Sequence, residues 1–128
     1  MASIFELEQP TFGRSTSGKI VVAGADEATS LTAAQCVESI ITVTPTAGRA
    51  YTTATGAAII AALGDTVKVG QTFEVTVVNL ASATHAVTFT ANAAEDITLV
   101  GSGVVAAATA ATFIGRVTTA STVTFYRS

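Results

Sequence analysis

The segment Val69–Asn79 reads VGQTFEVTVVN, and its alternating apolar and polar residues decide the fold class. Successive side chains of a β-strand point to opposite faces, so Phe73, Val75 and Val77 share one face and the polar residues share the other. This pattern predicts a strand with one buried face. Similar segments lie at 19–23, 40–44, 84–90, 96–100, 109–118 and 121–127. From residue 69 onwards they recur about every 8 to 12 residues, which is typical of an all-β antiparallel sandwich or barrel.

One short helix is predicted within this β-rich chain, at about residues 55–63. Either Thr53 or Thr55 can cap its N-terminus, and Gly64 stands where a residue of left-handed conformation commonly ends a helix. Residues 30–38 are compatible with either a helix or a strand. The sequence therefore predicts a β-domain with one helix and leaves the structure of 30–38 open.

Residues 1–19 differ in composition from the rest and are predicted to form an extended N-terminal arm ahead of a single β-domain at 20–128. A Gly- and Ser-rich stretch at 13–18 has the composition of a linker. The candidate contact residues of the arm are Phe5, Leu7, Pro10 and Phe12. An arm this apolar is poorly suited to water, so we expect it to dock on a partner or a neighbouring subunit, with a frayed terminus as the alternative.

Charged residues are scarce and lean towards acid. The chain has 6 Lys and Arg against 9 Asp and Glu, a net charge of -3, and no basic cluster. Nucleic-acid binding is not expected, because each phosphate contact requires a cation. A basic segment followed by an apolar core is missing at the N-terminus, and no apolar run approaches the roughly 18 residues that span a bilayer. We therefore expect neither a standard secretion signal nor a membrane span.

Two residue types that often act in catalysis, Cys and His, occur once each. Cys36 lies in an apolar run, so we expect a buried small hydrophobic residue rather than a reactive thiol. The chain has no Gly-x-Ser-x-Gly motif whose serine His85 could activate as a general base. We expect His85 to be exposed on the flank of a hairpin. Without a nucleophile, base and orienting group, the sequence predicts a protein that is not an enzyme.

Residues 101–106 read GSGVVA and match the Gly-x-Gly-x-x-Ala form of a dinucleotide-binding fingerprint. That fingerprint requires a following helix and an acidic residue about 20 positions later for the ribose. No Asp or Glu follows Asp96. We therefore expect a Gly-rich hairpin turn here and no bound cofactor.

The acidic pairs Asp26/Glu27 and Glu95/Asp96 are neighbours in the sequence, and adjacent side chains of a strand point to opposite faces. We expect them to lie in loops and to aid solubility rather than to act as a catalytic pair. Asp96 with Glu95 and backbone carbonyls is an alternative cation site. No metal centre is predicted, because the single His has no acidic partner at a chelating spacing.

Ala and Thr together make up more than a third of the chain, whereas charged residues make up 12%. Small uncharged side chains let protein surfaces approach closely and lower the desolvation cost of association. This composition is typical of a protein that assembles with copies of itself or with partners.

Three segments resemble small structural proteins of tailed bacteriophages. Residues 41–53 read ITVTPTAGRAYTT, residues 69–79 read VGQTFEVTVVN, and an Ala-rich helix lies between them. The end of the chain adds LVG at 99–101, an Ala/Thr tract, and VTFYR at 123–127. The resemblance covers about residues 40–127 and rests on the order and texture of these segments rather than on a chemical motif.

This resemblance implies a capsid decoration (cement) protein with a jelly-roll-like domain and no catalytic site. Such a protein would bind the major capsid protein as a homotrimer at three-fold positions of the head. It would reside on the capsid surface of the virion after assembly in the host cytoplasm. Arg49 and Arg116 are similar to recurrent arginines of these proteins and would form ion pairs at subunit contacts, while the arm would contact the capsid.

Two other functions remain open from the sequence. A tail fibre or baseplate component would use the same type of domain, with the arm joined to a longer appendage. A small carbohydrate- or ligand-binding β-module would use Tyr51 and Tyr126 to stack on a sugar, together with loop carboxylates, although the chain has no Trp.

Overall fold

The computed structural model describes residues 19–92 and 96–128, which form a mostly β structure of ten strands and two helices, as the all-β prediction requires. The strands are β1 Ile20–Ala23, β2 Thr29–Ser30, β3 Ser39–Val43, β4 Arg49–Thr52, β5 Thr72–Asn79, β6 Val87–Thr90, β7 Ile97–Val100, β8 Val104–Val105, β9 Thr109–Val117 and β10 Val123–Arg127. The helices are α1 Ala33–Glu38 and α2 Gly56–Leu63. The predicted contact residues Phe5, Leu7, Pro10 and Phe12, and also Glu95, lie outside the described residues.

The strands form two sheets, and consecutive strands alternate between them from β1 to β9. The six-stranded sheet has the order β1-β3-β5-β9-β10-β7, and the four-stranded sheet has the order β2-β4-β6-β8. The helices α1 and α2 lie in the connections that lead back from the four-stranded to the six-stranded sheet. The chain therefore winds repeatedly between the two sheets before it ends in the β9–β10 hairpin.

This winding makes both sheets mixed, which corrects the prediction of an antiparallel sandwich. The strands β1, β3 and β5 are parallel neighbours, as are β2, β4 and β6, and β7 is parallel to β10. Antiparallel pairing joins β5 to β9, β9 to β10, and β6 to β8. Alternation along a strand indicates which face is buried but not which neighbour the strand pairs with, so it carries no sign of the parallel pairs.

Both helices begin at a threonine cap, and their number corrects the prediction of one helix. Before α1, the Thr32 hydroxyl accepts from the Gln35 amide at 3.1 Å and the Gln35 side chain accepts from the Thr32 amide at 2.9 Å. This reciprocal capping box satisfies two amides that the helix itself leaves unpaired. Before α2, the Thr55 hydroxyl accepts from the Ala58 amide at 3.3 Å, and Gly64 ends the helix with a φ of +102°. The predicted helix at about 55–63 is thus confirmed.

The core lies between the two sheets and is centred on aromatic rings. Phe89 stacks on Phe113 with ring centroids 4.2 Å apart, and Phe125 meets Phe89 edge-on at 5.2 Å. All three rings are fully buried. The inward face predicted for β5 is confirmed, because Val75 and Val77 are fully buried in the same core.

Candidate interaction surface

One face of the six-stranded sheet packs against the core. The opposite face points away from the core, and we call it the outer face. Cross-strand register places alternate residues of all six strands on this face. Its members are Val21, Ala23, Ile40, Thr42, Thr72, Glu74, Thr76, Val78, Thr98, Val100, Ala110, Thr112, Ile114, Arg116, Thr124 and Tyr126. None of them is buried. Thr and aliphatic side chains therefore dominate an accessible surface.

The outer face has two charged side chains, and each has a contact within the chain. Glu74 forms an ion pair with Lys19, whose Nζ lies 3.1 Å from the Glu74 Oε1. The predicted contact residue Arg116 is exposed on this face, with its guanidinium carbon 6.0 Å from the centre of the Tyr126 ring. Covering such a face removes few charges from water, so the desolvation cost of a contact is low.

Sequence reasoning proposed Arg116 and Tyr126 of the outer face as candidate site residues, but it did not propose the aliphatic and threonine residues of this face. The missing signal was present in the alternation itself. Where Val75 and Val77 predict an inward face, the intervening residues of β5 define the opposite one. In β9, the same alternation places Phe113 on the buried face and Ala110 and Ile114 on the outer face.

Arg49, the other predicted contact arginine, forms its ion pair within the chain. Its Nε donates to the Asp26 Oδ1 at 2.8 Å, and its Nη2 donates to the Thr46 hydroxyl at 3.2 Å. Asp26 also accepts from the Thr46 backbone N–H at 3.0 Å and from the Thr46 hydroxyl at 2.8 Å. The hydrogen bond from the Thr46 backbone, with those from the two side chains, lowers the pKa of Asp26 to about 2.

Asp26 therefore has a structural role, which corrects the prediction that it only aids solubility. It belongs to the β1–β2 connection, and Thr46 belongs to the β3–β4 connection. The carboxylate joins these two loops, and Arg49 at the start of β4 completes the cluster. Glu27, its neighbour in the sequence, is exposed as the prediction of a loop residue requires.

Tyr51 is fully buried and is not available to stack on a sugar. Its hydroxyl donates to the Ala25 carbonyl oxygen at 2.5 Å, and burial raises its pKa. A Cβ at Gly24 would lie only 2.4 Å from this hydroxyl oxygen, so the ring needs a glycine beside it. The carbohydrate-binding alternative thereby loses one of the two rings on which it depended.

The glycine-rich segment at 101–106 contains a turn, as predicted. This turn joins β7 to β8, which belong to different sheets, so it is not the turn of a hairpin. Gly101 has a φ of +98°, and a Cβ at Gly103 would lie 2.0 Å from the Phe89 carbonyl oxygen. The carbonyls of Ser102 in the turn and of Val104 at the start of β8 accept from the Arg127 Nη1 at 2.9 and 2.5 Å. The segment leads into the strand β8 and not into a helix, so it lacks the helix N-terminus that binds pyrophosphate.

Asp96 lies in the turn before β7, as the prediction of a loop residue requires, but its carboxylate caps the helix α2 rather than only aiding solubility. Its Oδ2 accepts from the Gly56 amide at 2.9 Å, at the first residue of the helix. A carboxylate is favoured at this helix end because the unpaired amides carry partial positive charge. The same amides disfavour a cation, which weighs against the cation-site alternative. In the described ranges, no three His, Cys, Asp or Glu residues come together as a metal site.

Cys36 is buried and His85 is exposed, as the sequence predicts. Cys36 is fully buried on α1, and burial raises the pKa of its thiol to about 11, so the reactive thiolate is disfavoured. His85 is exposed with a φ of +79°, and its carbonyl accepts from the Asn79 Nδ2 at 2.9 Å. Its turn joins β5 to β6 in the other sheet, so the predicted hairpin is wrong.

Comparison with known proteins identifies no relative. No family model, curated protein or solved structure matches this chain. Neither of the two described helices is long and apolar enough to cross a membrane. The outer face is the principal candidate site by its composition and accessibility. With no relative as a guide, its function is argued from its own chemistry.

Proposed function

We propose that this chain is a virion structural protein, a capsid decoration (cement) protein that binds the phage head lattice as a homotrimer and stabilises the shell. The observation that carries the proposal is the outer face, which offers Thr and aliphatic side chains across six strands. Its charged residues, Glu74 and Arg116, already have contacts within the chain. A surface of this kind suits protein contacts better than recognition of a charged ligand.

The sheet arrangement supports the jelly-roll-like part of the proposal in one respect. Consecutive strands alternate between two packed sheets from β1 to β9. Five of the strand pairs are parallel, whereas a jelly roll is antiparallel. The term jelly-roll-like therefore refers here only to the alternation of strands between the two sheets.

The outer face is the proposed contact with the major capsid protein, and the arm adds a second contact with the same protein. Its apolar residues Phe5, Leu7 and Phe12, with Pro10, would be buried against the shell. Complete burial of an apolar side chain contributes roughly 1.5 to 3 kcal/mol before ordering costs. Three arms of one trimer would act together, so that a modest affinity for each arm becomes a strong attachment of the whole trimer.

Purified protein mixed with undecorated phage heads and sedimented tests the proposal. We expect saturable binding, trimers at local three-fold positions by electron microscopy, and heads that resist a higher temperature. Binding to tails but not to heads would contradict the decoration role and favour a fibre or baseplate component. A monomer at micromolar concentration in sedimentation velocity would contradict the homotrimer.

Two neighbouring substitutions in the full chain test the arm. Phe12→Asp should weaken head binding by about tenfold or more, because an apolar anchor becomes a charge. Thr11→Asp introduces the same charge one residue earlier and serves as the matched control, for which we expect a smaller loss. Equal losses would show that charge alone, and not an apolar contact, governs binding by the arm.

A further inference from the structure

An apolar groove lies beside the edge strand β1, where the described chain begins. Its volume is about 220 Å³, below the roughly 300 to 1,000 Å³ of small-molecule pockets. The apolar side chains that line it are Ile20, Val22, Ala34, Val37 and Ala62. They come from β1, α1 and α2, so the groove opens between the edge of the sheet and the two helices. This shape suits a few side chains of a peptide segment.

The strand β1 also has a free hydrogen-bonding edge within the described structure. It is the terminal strand of its sheet, and its side chains Ile20 and Val21 are 61% and 63% exposed. The Gly24 amide donates to the Thr42 carbonyl of β3 at 2.7 Å. Because backbone groups of a strand alternate in direction, those of Val21 and Ala23 point to the free edge. An unpaired edge beside an apolar groove is a template for one more strand.

One segment of this chain has the pattern that such an edge requires. Residues 5–8 read FELE, with apolar and acidic residues in strict alternation. As a strand, this segment would set Phe5 and Leu7 on one side and the two glutamates on the other. Ten residues, 9–18, separate it from the start of the described chain, and Gly13 and Gly18 stand among them. That length is sufficient for the chain to turn back on itself.

We propose that residues 5–8 add to the free edge of β1 in the same chain, with Phe5 and Leu7 seated in the groove. The same chain is favoured over a second copy because a short connection gives an effective concentration on the order of millimolar. The docking concerns the free protein and is independent of the proposed function. Only its consequence rests on that function: these side chains would have to leave the groove before they contact a capsid.

Amide hydrogen exchange of the full-length protein tests this docking without any phage head present. We expect the Val21 and Ala23 amides to exchange about tenfold or more slowly than in the double variant Phe5→Asp, Leu7→Asp. The matched control, Glu6→Gln with Glu8→Gln, changes the other side of the segment and should keep the protection. Amides of the core strand β9 report that each variant is folded. Equally fast exchange of Val21 and Ala23 in all three proteins would overturn the proposal.

A spin label distinguishes the same chain from a second copy. Ser3→Cys supplies the attachment point, while the native Cys36 is fully buried and protected from the reagent. We expect the label to broaden the amide signals of Val21 and Ala23 when label and isotope are on one chain diluted with unlabelled protein. Broadening only between labelled and isotope-enriched copies would assign the groove to a second copy and overturn the proposal. If residues 5–8 dock on β1 but the protein does not bind phage heads, the proposed function is contradicted and the docking proposal is not.

Discussion

The two faces of the six-stranded sheet are built from alternate residues of the same strands, yet they differ in almost every property. On the inner face, Val75, Phe113 and Phe125 are fully buried in one aromatic and aliphatic core. On the outer face, no side chain is buried, and Thr and small aliphatic residues predominate. One set of positions therefore forms the core that specifies the fold, while the other set stays accessible to solvent.

The largest effect should come from a substitution on the inner face. Phe113→Ala removes a ring that stacks on Phe89 and should lower the free energy of unfolding by about 3 to 5 kcal/mol. The next residue of β9, Ile114, points to the outer face, and Ile114→Ala should cost about 1 kcal/mol. Urea denaturation of both variants measures the difference. Equal losses would show that the two faces do not divide their roles in this way.

A smaller effect is expected where the backbone of the turn at 101–106 closely approaches a core strand. Gly103→Ala would bring a Cβ to 2.0 Å from the Phe89 carbonyl oxygen, so we expect a loss of about 1 to 3 kcal/mol through overpacking. Gly48→Ala is the matched control, since its Cβ would meet no atom closer than 3.9 Å and its φ is ordinary. Its unfolding free energy should change by about 0.5 kcal/mol or less. A neutral Gly103→Ala would contradict the close approach.

The loop cluster around Asp26 should add a smaller, pH-dependent contribution. Its pKa falls from 3.8 to about 2 on folding, so the stabilisation is complete above about pH 4 and disappears as the pH falls towards 2. Asp26→Asn should be less stable than the natural protein at pH 6, and the difference should shrink at pH 2. Denaturation midpoints across this range measure it. A difference that is the same at both pH values would show that the carboxylate charge is not the source.

The elements that the sequence predicts well are those determined by local chemistry. Alternation identifies the buried face of β5, and caps identify α2. The same kind of signal was available for α1, since Thr32 and Gln35 have the spacing of a capping box, but six residues are too few to show helical periodicity.

Contacts between residues distant in the sequence could not be predicted in this way. Asp26 meets Arg49 across 23 residues, and Asp96 caps α2 across 40. Each acid lies in a short polar stretch that is equally compatible with a solvated loop. The partner becomes visible only after the chain has wound between the sheets. The outer face shares this limit, because alternation defines its residues within each strand but not the order of the six strands.

Head binding by two singly charged variants tests whether the outer face contacts the phage head, as the proposed function requires. Ala110→Glu places a carboxylate on the outer face, and Ser82→Glu places one in an exposed loop between β5 and β6. Both proteins should unfold at the same urea concentration as the natural chain. We expect Ala110→Glu to bind undecorated heads at least about tenfold more weakly than the natural chain, whereas Ser82→Glu should bind normally. Normal binding by Ala110→Glu would contradict a contact between the outer face and the head.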